Sequence, residues 1–336
     1  MRSITRRSVL AMAAAAGCAQ VLHAAPARAQ IMKTLRVIAF PGGGNGWPIW
    51  VAQRQGFFAD VRLIVELTPT PGSVYQMTHL IAGDFDIAHT AMDNVVAYTE
   101  GEGEVAIAGE TSLVAIMGGD DGFLHVLARP QCASYADLRG KRLGVDALTT
   151  GFAFVLRSML ERNGLHAGDY ELVAVGAGAR RYAALVAGEI DGTISSTPLD
   201  VMGEAAGLRV LGSATATLGH YQGYVGATTR AWATNYGDSW GRAYVRAYGR
   251  ALAWLYDAAN QRDAIALLAE NAKYPPAVAE KTYGIMINRS GGYEPRAVID
   301  LQGVATVIGL REKYGSSRKR FGAPEAYVDA NALRRA

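Results

Sequence analysis

Five short segments bring hydroxyl, amide, carboxylate and guanidinium groups to one kind of place. Each lies where an apolar, β-type run gives way to a helical repeat. The first turn of a helix presents N–H groups without intrahelical partners, and the aligned peptide dipoles leave partial positive charge there. Such a terminus holds an anionic group without any further apparatus. In "PGGGNGWPIW" (41–50), glycines 42, 43, 44 and 46 allow close backbone approach, and Trp47 offers a flat apolar face with one donor. Asn45 and Trp47 are the candidates there; the competing reading is a surface turn with Trp47 in the core. In "HTAMDNVVAY" (89–98), Asp93 and Asn94 open a helix. Either can cap it; Asp93 can instead pair with an amine, and Asn94 can donate and accept.

The third segment, "GVDALTTGFAF" (144–154), ends a strand in two threonines and a glycine. Phe152, Val155, Leu156, Met159 and Leu160 follow the i, i+3, i+4, i+7, i+8 pattern, so they form the core face and Phe154 falls off it. The helix therefore starts near Thr150 or Gly151. Thr149 or Thr150 is the N-cap, and Gly151 leaves its amide open to a ligand. In "VGAGARRYAAL" (175–185), Arg181 enters a helix after a loosened turn, and its planar fork suits a carboxylate or sulfonate. Arg180 reads as solvated. In "ISSTPLD" (194–200), Thr197 caps and Pro198 opens a helix; Ser195 or Ser196 faces outward, and Ser196 is the one assigned to the ligand. Tyr221 and Gln222 in "GHYQGYVG" (219–226) join the set, while Tyr224 serves ligand or packing equally well.

Other chemistries find no support. The histidines are scattered singly, with no HExxH or Cys/His spacing for a metal. No GxxxxGK[ST] phosphate loop occurs. "GEGEVA" (101–106) mimics a dinucleotide fingerprint but precedes a strand-like run instead of opening a helix. No cofactor, no metal and no catalytic residues are expected.

The elements that position these segments alternate. Strands are expected at 35–40, 61–67, 86–90, 105–109 ("VAIAG"), 123–128, 141–146, 170–175, 191–195, 208–211 and 223–229, separated by amphipathic helices. From Ser239 onward the chain reads as helical. Alternation of this kind implies parallel sheets covered by helices, with ligands beyond the carboxyl ends of the strands. "IAGDFDIAHT" and "VAGEIDGTIS" form a weak internal repeat, with Gly83 and Gly188 suited to the left-handed position that ends a helix.

The chain has 336 residues, half of them hydrophobic, enough for two cores. Residues 1–29 read as an export signal: Arg2, Arg6 and Arg7, an uncharged alanine-rich run, then Ala27-Arg28-Ala29. "TRRSVL" is similar to a twin-arginine signal, and "AAGC" ending at Cys18 is the competing lipoprotein reading. That segment holds four arginines and no acids, so its removal turns a formal charge of +3 into −1. The mature chain thus has no net basic field for nucleic acid. Cys132 is the only cysteine after Cys18, so no intrachain disulfide is expected.

Four segments carry a family resemblance: "PIWVAQRQGFFAD", "LIAGDFDIAHTAMDNVVAY", "SYADLRGKRLGVD" and "RRYAALVAGEIDGTISSTPLD". In this order they resemble substrate-binding proteins of ABC importers, in the branch of nitrate, sulfonate and taurine binders and NMT1/THI5-like proteins. The resemblance implies a type II periplasmic-binding fold of two α/β lobes joined by two hinge crossings, near 122–129 and 211–224. Residues 31–125 with 214–336 would form lobe 1 and 126–213 lobe 2, closing on a solute between them. It implies a periplasmic protein that meets the membrane only through an ABC permease and its ATPase. The expected solute is a small organic anion, sulfonate or carboxylate, with an amine as well if Asp93 and Asp146 both reach it. The alternatives are a thiamine-pyrimidine precursor binder or synthase, whose CCCFC segment is missing, and a receptor for a tripartite carrier, whose "P-x-x-PGG" loop "FPGGGNG" resembles.

Overall fold

The computed structural model describes residues 32–336 apart from 43, 45, 110, 290, 318, 335 and 336. The export-signal reading of 1–29, with Cys18, and the assignment of Asn45 lie outside the described residues. Ten strands occur among the described residues: β1 (Lys33–Ala39), β2 (Leu63–Pro69), β3 (Ile87–Ala91), β4 (Leu113–Gly118), β5 (Leu124–Ala128), β6 (Arg142–Val145), β7 (Glu171–Ala174), β8 (Gly192–Ser196), β9 (Arg209–Ser213) and β10 (Tyr224–Thr229). They form two five-stranded sheets, ordered β2-β1-β3-β10-β4 and β7-β6-β8-β5-β9.

Each sheet is parallel except for one strand. β10 runs antiparallel between β3 and β4, and β5 runs antiparallel between β8 and β9. Every residue of β3 and β4 is buried, which explains their unbroken apolar runs: a parallel sheet covered on both faces has no solvent side to pattern. The run 105–109 is not a strand. Gly109 sits at φ 94°, the segment is largely exposed, and the sheet position is taken by "LVAIMG" at β4. An apolar run bounded by glycines lost to one that can bury both faces.

The chain passes between the sheets twice, at 119–123 and 214–223, and the two passages lie side by side. Gly119 N donates to Tyr224 O (3.0 Å) and Gly223 N to Asp120 O (2.9 Å). A Cβ on Gly223 would collide with the backbone nitrogen of Gly122, so only glycine permits this approach. The first passage ends earlier than the expected 122–129 because β5 already belongs to the second sheet.

Helix Gly151–Arg162 is capped by Thr150, whose hydroxyl accepts from Ala153 N. Its buried face includes Phe154, against the periodicity reading, whereas Phe152 is only partly buried and turns toward the neighbouring Tyr224. The cause lies in the C-terminal part of the chain. Helix Leu301–Tyr314 packs on both Met92–Thr99 and Gly151–Arg162, and it covers the face that local periodicity assigns to solvent. Pro198, not Thr197, precedes helix Leu199–Ala205; the Thr197 hydroxyl donates instead to Asp200. Gly83 and Gly188 adopt φ of 83° and 77°, as the helix-ending reading requires. Cys132 is free and buried.

Candidate ligand-binding cleft

A cleft of about 570 Å³ opens at the carboxyl ends of strands from both sheets. This is within the usual range for a small-molecule site, roughly 300–1,000 Å³. All five segments singled out by sequence contribute to its wall: Gly42 and Gly44; Asp93 and Asn94; Asp146, Thr150 and Gly151; Gly176 to Tyr182; Ser196 to Leu199. The start of helix Ser73–Ile81 joins them. Several helix N-termini therefore face one space, as the geometry of open parallel sheets prescribes.

The individual assignments divide. Thr150 lines the cleft, and its hydroxyl donates to Asp146 Oδ1 (2.6 Å) while capping the helix, so cap and wall are one residue. Gly151 lies against Asp93: a Cβ there would overlap the Asp93 side chain. Asn94 donates to Thr90 (2.8 Å), and Ser196 is half-buried in the wall. Arg181 is buried and lines the cleft; Nη1 donates to Gly176 O (2.7 Å) and Nε to Ile194 O (3.3 Å). Nη2 has no hydrogen-bond partner among the described residues. Burial lowers the pKa of this guanidinium, and Asp146 works in the opposite direction.

Four assignments do not reach the cleft. Trp47 is fully buried edge-on to Tyr283, 6.1 Å between ring centroids, because helix Trp47–Arg54 turns that face into the core under helix Arg242–Tyr256. The Thr149 hydroxyl turns away to Glu104 (2.5 Å). Tyr221 is buried behind the wall. Gln222 braces the return passage: its amide nitrogen donates to Asp120 O (3.1 Å) and Tyr224 O (2.9 Å), and its oxygen accepts from Asp300 N (2.8 Å).

Sequence reasoning missed Phe40, Asp120, Phe123 and Tyr274, all in the wall, and Arg311 behind it. Phe40 and Asp120 follow the ends of β1 and β4, so the strand-end rule alone could have found them once β4 was placed. Burial, with the Asp121 charge beside it, raises the Asp120 carboxyl to about 8 against hydrogen bonds from Gly122 N and Tyr224 N. Arg311 has no local signal. Its Nε and Nη2 meet the two Asp93 oxygens at 2.8 and 2.6 Å, and Nη2 also donates to Thr149 O (3.0 Å). Glu102 lies 3.6 Å from Nη1, and the guanidinium sits 5.0 Å from the Phe154 ring centroid. Burial disfavours the Arg311 cation, but Asp93 and Glu102 more than offset this and raise its pKa.

No group of His, Cys, Asp or Glu among the described residues is arranged to hold a metal ion, and no described helix is long and apolar enough to cross a membrane.

Two α/β sheets joined by paired passages, with helix starts converging on the space between, define the two-lobed fold of periplasmic binding proteins. The family model described as "NMT1-like family" matches residues 38–269, and the chain belongs to that family. Among solved structures it is similar to the alkanesulfonate-binding protein SsuA from Xanthomonas axonopodis pv. citri bound to MOPS, at 19% identity and TM-score 0.70 over 87% of this chain and 97% of that one. It is similar to the nitrate-binding protein NrtA from Synechocystis PCC 6803, at 14% identity and TM-score 0.73 over 90% and 88%. A DszB mutant in complex with biphenyl-2-sulfinic acid has 14% identity and TM-score 0.60 over 90% and 99%. No curated protein matches the chain.

Proposed function

We propose that this protein is the exported, non-enzymatic solute-capturing component of an ABC importer, and that its solute is a small organic anion. Residues 31–125 with 214–336 act as one lobe and 126–213 as the other, closing on the solute before delivery to a permease and its ATPase. The residues assigned to the solute are Asn94, Thr150, Gly151, Arg181 and Ser196, with Asp93 behind them.

One observation carries the anion reading: each acid in the wall is already answered. Asp93 is paired with Arg311, Asp146 accepts from Thr150 and lies near Arg181, and Asp120 with its pKa near 8 is largely uncharged at neutral pH. What remains open to a solute is donor-rich: helix N-termini, Asn94, Arg181 and the exposed Arg180. The same balance removes the reason to add an amine to the ligand. The absence of a cysteine from the wall, with Cys132 buried elsewhere, favours capture over covalent chemistry.

A thermal-shift screen of sulfonates, carboxylates, amines and pyrimidines tests this. An acid at about 100 times its Kd stabilises the folded state by about 2.7 kcal/mol. Stabilisation by cationic or uncharged compounds alone would overturn the anion reading.

A further inference from the structure

The charged end of the ligand is only part of what the cleft can hold, because most of its wall is apolar and several of its side chains are rings. Phe40 follows β1 in the first sheet. Tyr224 opens β10 on the return passage. Phe152 lies in the first turn of helix Gly151–Arg162, whose strand partner is in the second sheet. These three are in ring contact: Phe40 and Tyr224 at 6.3 Å between centroids, Phe152 and Tyr224 at 5.9 Å and perpendicular. All three are half-buried and line the cleft. The perpendicular Phe152–Tyr224 pair leaves a positive ring edge beside a negative ring face, a surface that a third ring can extend.

Arg181 supplies the opposite end. It is 4% exposed, it lines the cleft, and its Nη2, which has no hydrogen-bond partner among the described residues, lies at the start of helix Gly178–Ala187, 3.9 Å from where a Gly178 Cβ would stand. A buried guanidinium with one nitrogen unanswered among the described residues, beside the amides of a helix start, is built to receive one acid group.

We propose that the solute is a ring-bearing acid: an aromatic carboxylate or sulfonate, with its acid group on Arg181 Nη2 and the Gly178 helix start and its ring against Phe40, Tyr224 and Phe152. This rests on the reading of the protein as an anion-capturing component. It adds that selectivity comes from the ring surface, contributed by residues of both sheets, so that the ring itself bridges the lobes.

The test uses the mature full-length chain and calorimetry with matched acids: benzoate and cyclohexanecarboxylate, benzenesulfonate and hexanesulfonate. Aromatic acids are expected to bind about tenfold or more tightly than their saturated partners, since ring–ring geometry adds to area burial. Phe152→Leu should remove most of that ratio by weakening aromatic acids more than saturated ones, and Arg181→Gln should weaken both kinds of acid alike. Saturated acids binding as well as aromatic ones, or a ratio untouched by Phe152→Leu and Phe40→Leu, would overturn the ring proposal and leave anion capture standing. If no acid of either kind binds while amines or neutral compounds do, anion capture itself fails and the ring proposal with it. Circular dichroism of each variant confirms that the fold persists.

Discussion

Arg311 closes on Asp93 from 218 positions away in the chain, Nε and Nη2 each meeting one carboxylate oxygen at 2.8 and 2.6 Å. Both side chains are 2% exposed. A bidentate pair at that depth makes each partner depend on the other: two ions taken out of water together are tolerable, and one alone is costly.

Arg311→Met is therefore expected to destabilise the fold by about 3–5 kcal/mol, since it strands the Asp93 carboxylate. Adding Asp93→Asn should recover a large part of that loss. Urea unfolding of the two single variants and the double variant measures the coupling; strictly additive losses would mean that the pair is not a unit.

Two helical glycines should respond in opposite ways to alanine. At Gly249, inside helix Arg242–Tyr256, nothing stands within 4 Å of an added Cβ, so alanine is expected to stabilise by about 0.5–1 kcal/mol. At Gly151 the added atom overlaps Asp93, and overpacking should cost about 1–3 kcal/mol. The displaced Asp93 should also weaken acid binding. Thermal melts with and without ligand distinguish the two sites, and matching shifts would contradict the close packing at Gly151.

Thr150→Ala removes a cap and the hydroxyl that holds Asp146, with an expected cost of about 1 kcal/mol. Combined with Arg181→Ala, it should abolish high-affinity acid binding while the far-ultraviolet spectrum stays native. Charge-assisted hydrogen bonds are worth about 1.5–3 kcal/mol, so Arg181→Ala alone should cost at least about tenfold in Kd. Unchanged affinity in the double variant would place the acid group elsewhere.

Asp120 predicts a pH dependence. Its carboxyl is raised from an ordinary 3.8 to about 8, so between those values the folded chain keeps a proton that the unfolded chain has released. Stability from this group is then full below about 4 and declines as pH rises toward 8. Asp120→Asn should flatten that slope: the variant gains on the parent at pH 8, and the difference shrinks toward pH 4. Denaturant titrations at pH 5 and pH 8 measure it, and parallel slopes for parent and variant would rule out Asp120 as the source.

The fold was largely visible in the sequence because its signals are local. Strand–helix alternation, Gly83 and Gly188 at helix ends and the Thr150 cap each depend on a few neighbouring residues. Two errors in that reading share one origin. Phe154 and the run 105–109 were judged by nearby pattern, yet helix Leu301–Tyr314 covers the first, and the second lost its place in the sheet to β4. The wall of the cleft was legible as loop addresses, since all five loops contribute to it. Which side chain in each loop turns inward was not, because Trp47, Thr149, Tyr221 and Gln222 are directed by partners far along the chain. Tyr274 and Arg311 are the clearest cases: nothing around either residue in sequence announces a role.

The family match ends at residue 269, and the arginine that neutralises Asp93 stands 42 positions beyond it. A domain cut drawn at the edge of the match would keep all five helix starts and still produce a defective receptor. Helix Leu301–Tyr314 also ties to helix Gly151–Arg162 through Lys313 and Glu161. The tail of the chain is thus a keystone, and homology-guided trimming or chimera building should treat it as inseparable from the cleft.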